Sequence, residues 1–267
     1  MRWHIMKAIR VTAYQNMPCY RKPASFVLKE SYPLPPYSGV IGMIHAACSF
    51  EDYVDMDVSI QGEHYCETSE LYTKYEFNRN MSYEKPKPGK QARHNVKMTD
   101  GEHDYGMSRG IGNIELLVDV YLLLHIVPKD EAMLETIRQG LENPKNYLSL
   151  GRWEDILRID SVELTELAEE TLEDGIFLPY DAYIPKTREN KFTGGEISFS
   201  GTMYRLNKKY IIEPKSNLRK WQEKVEARYT VKGSRINSGE TLLVDKLPVN
   251  SIGWNNQKRQ FLPVFLG

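Results

Sequence analysis

The sequence predicts an α+β fold in which two helices cover an antiparallel sheet and a smaller β-rich part follows. Three observations carry this: segments with alternating apolar residues recur along the 267-residue chain, two segments change to helical spacing, and a basic stretch punctuated by proline and glycine interrupts the pattern. From Lys7 to Tyr14, Ile9, Val11 and Ala13 share one face and Arg10, Thr12 and Tyr14 the other, the period of a strand. In Pro33-Leu34-Pro35-Pro36-Tyr37-Ser38 the prolines forbid helix, and Ser38 is placed to cap one that starts there. Val40, Ile41, Ile44, Ala47 and Cys48 give that helix its apolar face, ending near Ser49.

Met56, Val58 and Ile60 alternate as a second strand, with room to continue toward Phe77. Residues 78–112 contain Pro86, Pro88 and five glycines with no apolar periodicity, and read as an extended insertion. Ile114 to Val127 is nearly continuous apolar sequence, as for a central strand. Pro128, Asp130 and Glu131 open a second helix with Met133, Leu134, Ile137 and Leu141 as its buried stripe, and Asn143-Pro144 stops it. A fourth strand is expected near Ile156 to Val162. The order strand, helix, strand, insertion, strand, helix, strand is the ferredoxin-like arrangement found in RNA-recognition folds. It assigns 1–165 to that domain, with its insertion at 78–112, and 166–267 to the β-rich part. In the latter, Ile197, Phe199, Gly201 and Met203 precede a turn at Asn207 and a strand at Tyr210 to Ile212, and Lys215 to Tyr229 fits helix or strand equally well.

Hydrophobic residues make up 41% of the chain and charged residues 27%, the balance of a folded globular protein. No run of about 18 apolar residues is present and Met1-Arg2-Trp3-His4 lacks a secretory apolar stretch, so a cytoplasmic protein without a membrane partner is expected. Cys19, Cys48 and Cys66 have neither disulfide nor zinc spacing. No GxxxxGK[ST], HExxH or GxSxG motif occurs, and His103-Asp104 lies between glycines without the further ligands that metal-dependent phosphohydrolysis needs. No metal or cofactor is expected.

A net charge of −1 conceals segregation. Arg79, Lys85, Lys87, Lys90, Arg93 and Lys97 face one acid, Glu84, within the insertion, where His94 and Tyr83 also lie. Between Tyr204 and Arg235 ten basic residues face three acids, whereas nine acids accompany only Arg158 from Glu154 to Asp174. Mobile cations interleaved with flat side chains suit single-stranded nucleic acid. Arg109, late in the insertion, and Arg21 and Lys22, after the first strand, extend this set of candidate RNA contacts, although Lys22 also fits a plain surface position.

Two stretches have more specific chemistry. In Ser38-Gly39-Val40-Ile41-Gly42 the missing side chains let an anion approach a helix N-terminus, or merely let the helix sit close on its sheet. In Leu150-Gly151-Arg152-Trp153-Glu154-Asp155 a turn can aim a guanidinium at phosphate and an indole at an unpaired base; alternatively Trp153 is core and Arg152 pairs with Glu154 or Asp155.

Together, in this order and on this strand pattern, the proline-rich approach to the first helix and the Leu-Gly-Arg segment followed by acids resemble the fifth CRISPR-associated (Cas) family of the RAMP superfamily, subtype I-B. The resemblance covers residues 6–165 closely and the remainder in outline. It implies a thumb-like hairpin for the insertion and a non-catalytic subunit of the type I surveillance complex, Cascade, that holds the 5′ handle of the guide RNA (crRNA). Its implied neighbours are the large subunit and a backbone RAMP subunit, with target DNA reached only through the complex. Some relatives cleave repeat RNA without metal, which makes Tyr37, His45, His94 and Lys97 candidates to weigh. Catalytic members carry adjacent lysine and histidine where this chain has Arg93-His94, and arginine does not exchange protons near neutral pH. His45 fits a satisfied core position, which leaves Tyr37, His94 and Lys97 as the set an enzyme would use. A metal-independent endoribonuclease is thus the alternative to a binding subunit, and an unrelated RNA-recognition protein the second.

Overall fold

The computed structural model describes residues 5–25, 27–77, 80–189, 200–246, 249–250, 258–259 and 261–267. The chain is a mixed α+β protein. It opens with β1 (Met6–Gln15), the two-residue β2 (Leu28–Lys29) and α1 (Tyr37–Cys48), followed by β3 (Met56–Glu63), β4 (Cys66–Glu76), β5 (Val96–Thr99), β6 (Asp104–Val118) and β7 (Val120–Pro128). After α2 (Met133–Glu142) come β8 (Arg158–Thr171), β9 (Ile176–Phe177), β10 (Asp181–Pro185) and the short α3 (Lys186–Glu189). The remainder is β11 (Thr202–Ile212), β12 (Arg219–Thr230), β13 (Arg235–Ile236), β14 (Thr241–Asp245), β15 (Val249–Asn250), β16 (Lys258–Arg259) and β17 (Leu262–Val264).

A nine-stranded sheet runs β11-β12-β10-β3-β7-β1-β8-β14-β17, and every pairing in it is antiparallel. Its middle strand is β7, and next to it β1 places Ile9 opposite Ile126 of β7 and Leu164 of β8. Because side chains alternate, Ile9, Val11, Val58, Ile60, Leu122 and Leu124 form one face, which packs with Val40, Ile44, Ile137 and Leu141 of the helices into the main core. The C-terminal strands extend both edges of this sheet: β10 pairs with β3 and β14 with β8. Beyond β17, Gly267 exchanges two hydrogen bonds with Val58, at 3.1 and 3.2 Å, which brings the last residues back to β3. There Ser59 Oγ accepts from the Phe265 amide at 3.0 Å and Gln61 donates to the Pro263 carbonyl at 2.7 Å.

The opposite sheet face has a buried ionic cluster. The Arg10 guanidinium reaches Asp245 at 2.9 Å and, at the cluster's open side, Glu163; His125 Nε2 lies 3.1 Å from Asp245, and Thr165 donates to the same carboxylate. Desolvation holds His125 below its ordinary value, and the hydrogen bond to Asp245 opposes that shift only in part.

Several sequence expectations need correction. Residues 114–127 are two strands, because Asp119 takes a left-handed conformation (φ 52°) at the point where the chain passes from a second, four-stranded sheet into the main one. The interruption is hidden in sequence since apolar residues flank it on both sides. Within and beside the stretch 78–112, β4 and β6 form an unbroken ladder from Cys66 opposite Val118 to Glu76 opposite Ser108, with β5 added near the tip. Ser38 is inside the first turn of α1, and the residue capping it is Pro36, without a side-chain cap. Asn207 is no turn but belongs to β11 beside a register shift, and the stretch from Lys215 to Tyr229 divides into the hairpin turn, with Asn217 at φ 54°, and β12 from Arg219 on. Ile197 and Phe199 lie outside the described residues. Among the described residues, no helix is long and apolar enough to cross a membrane.

Candidate nucleic-acid interface

A groove of about 630 Å³ runs between α1 and the β11–β12 hairpin. Its α1 side presents Ser38, Gly39, Gly42 and His45, the loop after β1 contributes Tyr20 and Arg21, and Leu150 and Gly151 close one flank. A Cβ built on Gly42 meets nothing within 4 Å, whereas one on Gly39 would sit 3.4 Å from Leu150 Cδ1. Gly42 therefore leaves open space on the groove floor, and Gly39 serves helix-to-loop packing. A second, smaller cleft of about 320 Å³ continues along the same helix face beside Asn146 to Gly151.

The far wall comes from the basic block of the C-terminal part, which the sequence pattern marked only as charge. Lys208, Tyr210, Ile212, Arg219 and Trp221 line it. Tyr210 and Trp221 are cross-strand partners with ring centroids 5.5 Å apart, and the Arg219 guanidinium lies 4.7 Å from the Tyr210 ring. Lys208 is buried, held by Asp57 at 2.9 Å and Glu223 at 3.5 Å. Burial works against the Asp57 charge, but hydrogen bonds from Lys129 and Lys208 hold its carboxyl below the ordinary value.

The Leu-Gly-Arg turn is built around Asp155. Gly151 has φ +112°, and a Cβ there would fall 2.7 Å from Asp155 Oδ2 and 2.9 Å from the Cys19 carbonyl oxygen, so only glycine fits. Asp155 accepts from the amides of Cys19 and Arg152, and the Arg152 guanidinium closes on Asp155 Oδ1 at 2.6 Å and on Glu154 at 3.2 Å. Arg152 thus anchors its own loop through Asp155 and Glu154, the second of the two readings that the sequence left open for it. Trp153 is the opposite case: it is 87% exposed and contributes nothing to the core.

The remaining candidates divide sharply. Lys85, Lys87, Lys90, Arg93 and Arg109 are exposed on the insertion and have no ionic partner among the described residues. Lys97 pairs with Asp104 at 2.7 Å and His94 faces Glu84 at 3.7 Å, while Arg79 lies outside the described residues. Arg21 is exposed at the groove and donates to the Ser25 carbonyl at 3.3 Å; Lys22 is tied to Glu30 at 3.1 Å. Tyr37 is fully buried against Tyr183, and burial drives its phenol far above the ordinary value, so it cannot serve as a surface acid or base. His45 Nδ1 meets the Ile41 carbonyl at 2.9 Å and its Nε2 accepts from the Val54 amide at 3.0 Å, so both ring nitrogens have partners.

Residues 8–230 fit the family profile described as CRISPR-associated protein (Cas_Cas5). The chain belongs to the Cas5 family. No curated protein sequence matches it. Among solved structures, a chain of a "CRISPR RNA-guided surveillance complex" superposes on this Cas5 chain with a TM-score of 0.51 at 14% identity, covering 87% of this chain and 90% of that one. At that identity the likeness concerns the fold alone. A "CRISPR protein from Archaeoglobus fulgidus" aligns at 13% identity with a TM-score of 0.37, over 89% and 91% of the two chains.

Proposed function

We propose that this Cas5 chain is a non-catalytic subunit of a type I-B surveillance complex and binds the 5′ handle of the crRNA. The observation that carries the reading is the groove floored by Gly42 and edged by Arg21, next to an insertion whose exposed lysines and arginines have no ionic partner among the described residues. The β-α-β-β-α-β order of β1, α1, β3, β7, α2 and β8, with β3-β7-β1-β8 adjacent, supports a ferredoxin-like core for residues 1–165. The β4–β6 ladder is then its thumb, and 166–267 the β-rich part that widens the sheet. Handle phosphates lie along Lys85, Lys87, Lys90, Arg93 and Arg109, a nucleotide enters beside Ser38, Gly39 and Gly42, and Trp153 offers an exposed indole to an unpaired base. Arg152 acts as a positioning residue, and the large and backbone subunits dock elsewhere on the surface.

The burial of Tyr37 and the satisfied ring of His45 weigh against the endoribonuclease alternative. Purified protein is incubated with labelled repeat RNA in EDTA: salt-sensitive binding without cleavage is expected. Specific cleavage that disappears in His94→Ala would establish the enzyme instead.

A further inference from the structure

Within the proposed RNA site, the β11–β12 hairpin holds a feature that phosphate binding leaves unused: an aromatic wall. Tyr210 and Trp221 face α1 across the groove, and the open space over Gly42 lies between them and the helix. Tyr53, under the Lys209 ammonium at 4.3 Å and stacked on His45 at 5.5 Å, adds a further ring to the same lining. Glu51 and Asp52 also line the groove. These acids disfavour a phosphate inside it, and Lys208 is already neutralised by Asp57 and Glu223. Arg21 and Arg219 also line the groove; both are exposed and have no ionic partner among the described residues. A planar, uncharged group inside with phosphate at the exposed arginines satisfies all of these positions.

We infer that the groove is a nucleobase site: one unpaired base of a single-stranded RNA inserts between the Tyr210–Trp221 pair and the Gly39–Gly42 face of α1, and its flanking phosphates are held by Arg21 and Arg219. This rests on the RNA-binding reading above. It assigns the C-terminal hairpin a direct part in RNA capture, and it makes the site a joint product of strands far apart in sequence. Ring-on-base stacking is tolerant of base identity, so the site measures the presence of an extruded base before its sequence.

The test uses the full chain and a single-stranded repeat RNA of about eight nucleotides, a length within the range one such surface covers. 2-Aminopurine replaces each position in turn. Binding by the wild type quenches the probe at one position; Trp221→Ala removes that quench and weakens binding roughly five- to 150-fold, the loss typical of one stacked base. Trp221→Phe retains most of both, and Arg219→Glu, which reverses the charge of an exposed side chain beside Tyr210, weakens binding with the quench position unchanged. If the wild type binds RNA and Trp221→Ala and Arg219→Glu match it in affinity and quenching, the nucleobase site is wrong while the RNA-binding reading stands. If the wild type binds no single-stranded RNA at low salt, both fall.

Discussion

Replacing Gly42 by glutamine separates the fold from the site. Gly42 is exposed in the middle of α1, and a Cβ there would have nothing within 4 Å. Glycine in a helix interior costs about 1 kcal/mol relative to alanine, while glutamine is among the better helix formers. The variant should therefore be more stable by roughly 0.5–1 kcal/mol, which for a chain of this size raises the thermal midpoint by about 1–4 °C. The same side chain occupies the space into which the proposed nucleotide inserts. Excluding one base from an aromatic-lined groove removes about 1–3 kcal/mol of binding, roughly five- to 150-fold in Kd. Thermal denaturation and fluorescence anisotropy with labelled repeat RNA at one fixed salt concentration measure the two effects on the same sample. A variant at least as stable as the wild type that binds with unchanged affinity would refute the assignment of the α1 glycine face. A destabilised variant would contradict the open space itself. Gly39 does not offer so clean a separation, because its added Cβ meets Leu150 at 3.4 Å.

Changing Lys85, Lys87, Lys90 and Arg93 together to alanine should leave stability nearly unchanged, because all are exposed and without an ionic partner among the described residues. If each touches a phosphate of a single strand, the slope of log K against log salt should become shallower by about 3, read from binding titrations across a salt series. The cluster around Asp245 predicts a pH effect on folding. Burial lowers the folded-state pKa of His125 below 6.5, so the unfolded chain takes up the proton first; stability is greatest above about pH 6.5 and falls as pH drops below it toward the lowered folded value. Urea midpoints at about pH 8 and about pH 5.5 should converge in His125→Asn relative to the wild type, and an unchanged gap would show that other groups set the acid limit.

Where local pattern decides, the sequence was legible. The alternation around Ile9, Val11 and Ala13 places β1, the stripe of Leu134, Ile137 and Leu141 places α2, and Asn143 ends that helix as expected. The glycines of α1 and the Leu-Gly-Arg turn are visible as motifs, and the structure brings Gly39, Gly42, Leu150 and Gly151 to adjoining clefts. What failed was whatever a distant partner determines. The pairing of Arg152 with Asp155 is one of the two readings the turn offers locally; what is not visible there is the Cys19 amide, from the loop after β1, that orients Asp155. Leu71, Tyr75 and Ile111 have the side chains of strand cores, yet they stand exposed on the β4–β6 ladder.

The groove shows why long-range register matters most for function. Tyr210 and Trp221 reach α1 because β12 pairs with β10, Tyr183 opposite Tyr229, and β10 pairs with β3, Ala182 opposite Gln61. Tyr183 also donates to the Leu34 carbonyl at 2.8 Å, in the proline-rich approach to α1. One buried residue therefore links the strand that carries the aromatic wall to the segment that aims the glycine face. A one-residue slip of β12 on β10 would turn Trp221 to the other side of the sheet and remove it from the wall opposite Gly42. The chemistry of the site thus depends on a ladder of backbone hydrogen bonds between elements more than a hundred residues apart, information that no local motif contains.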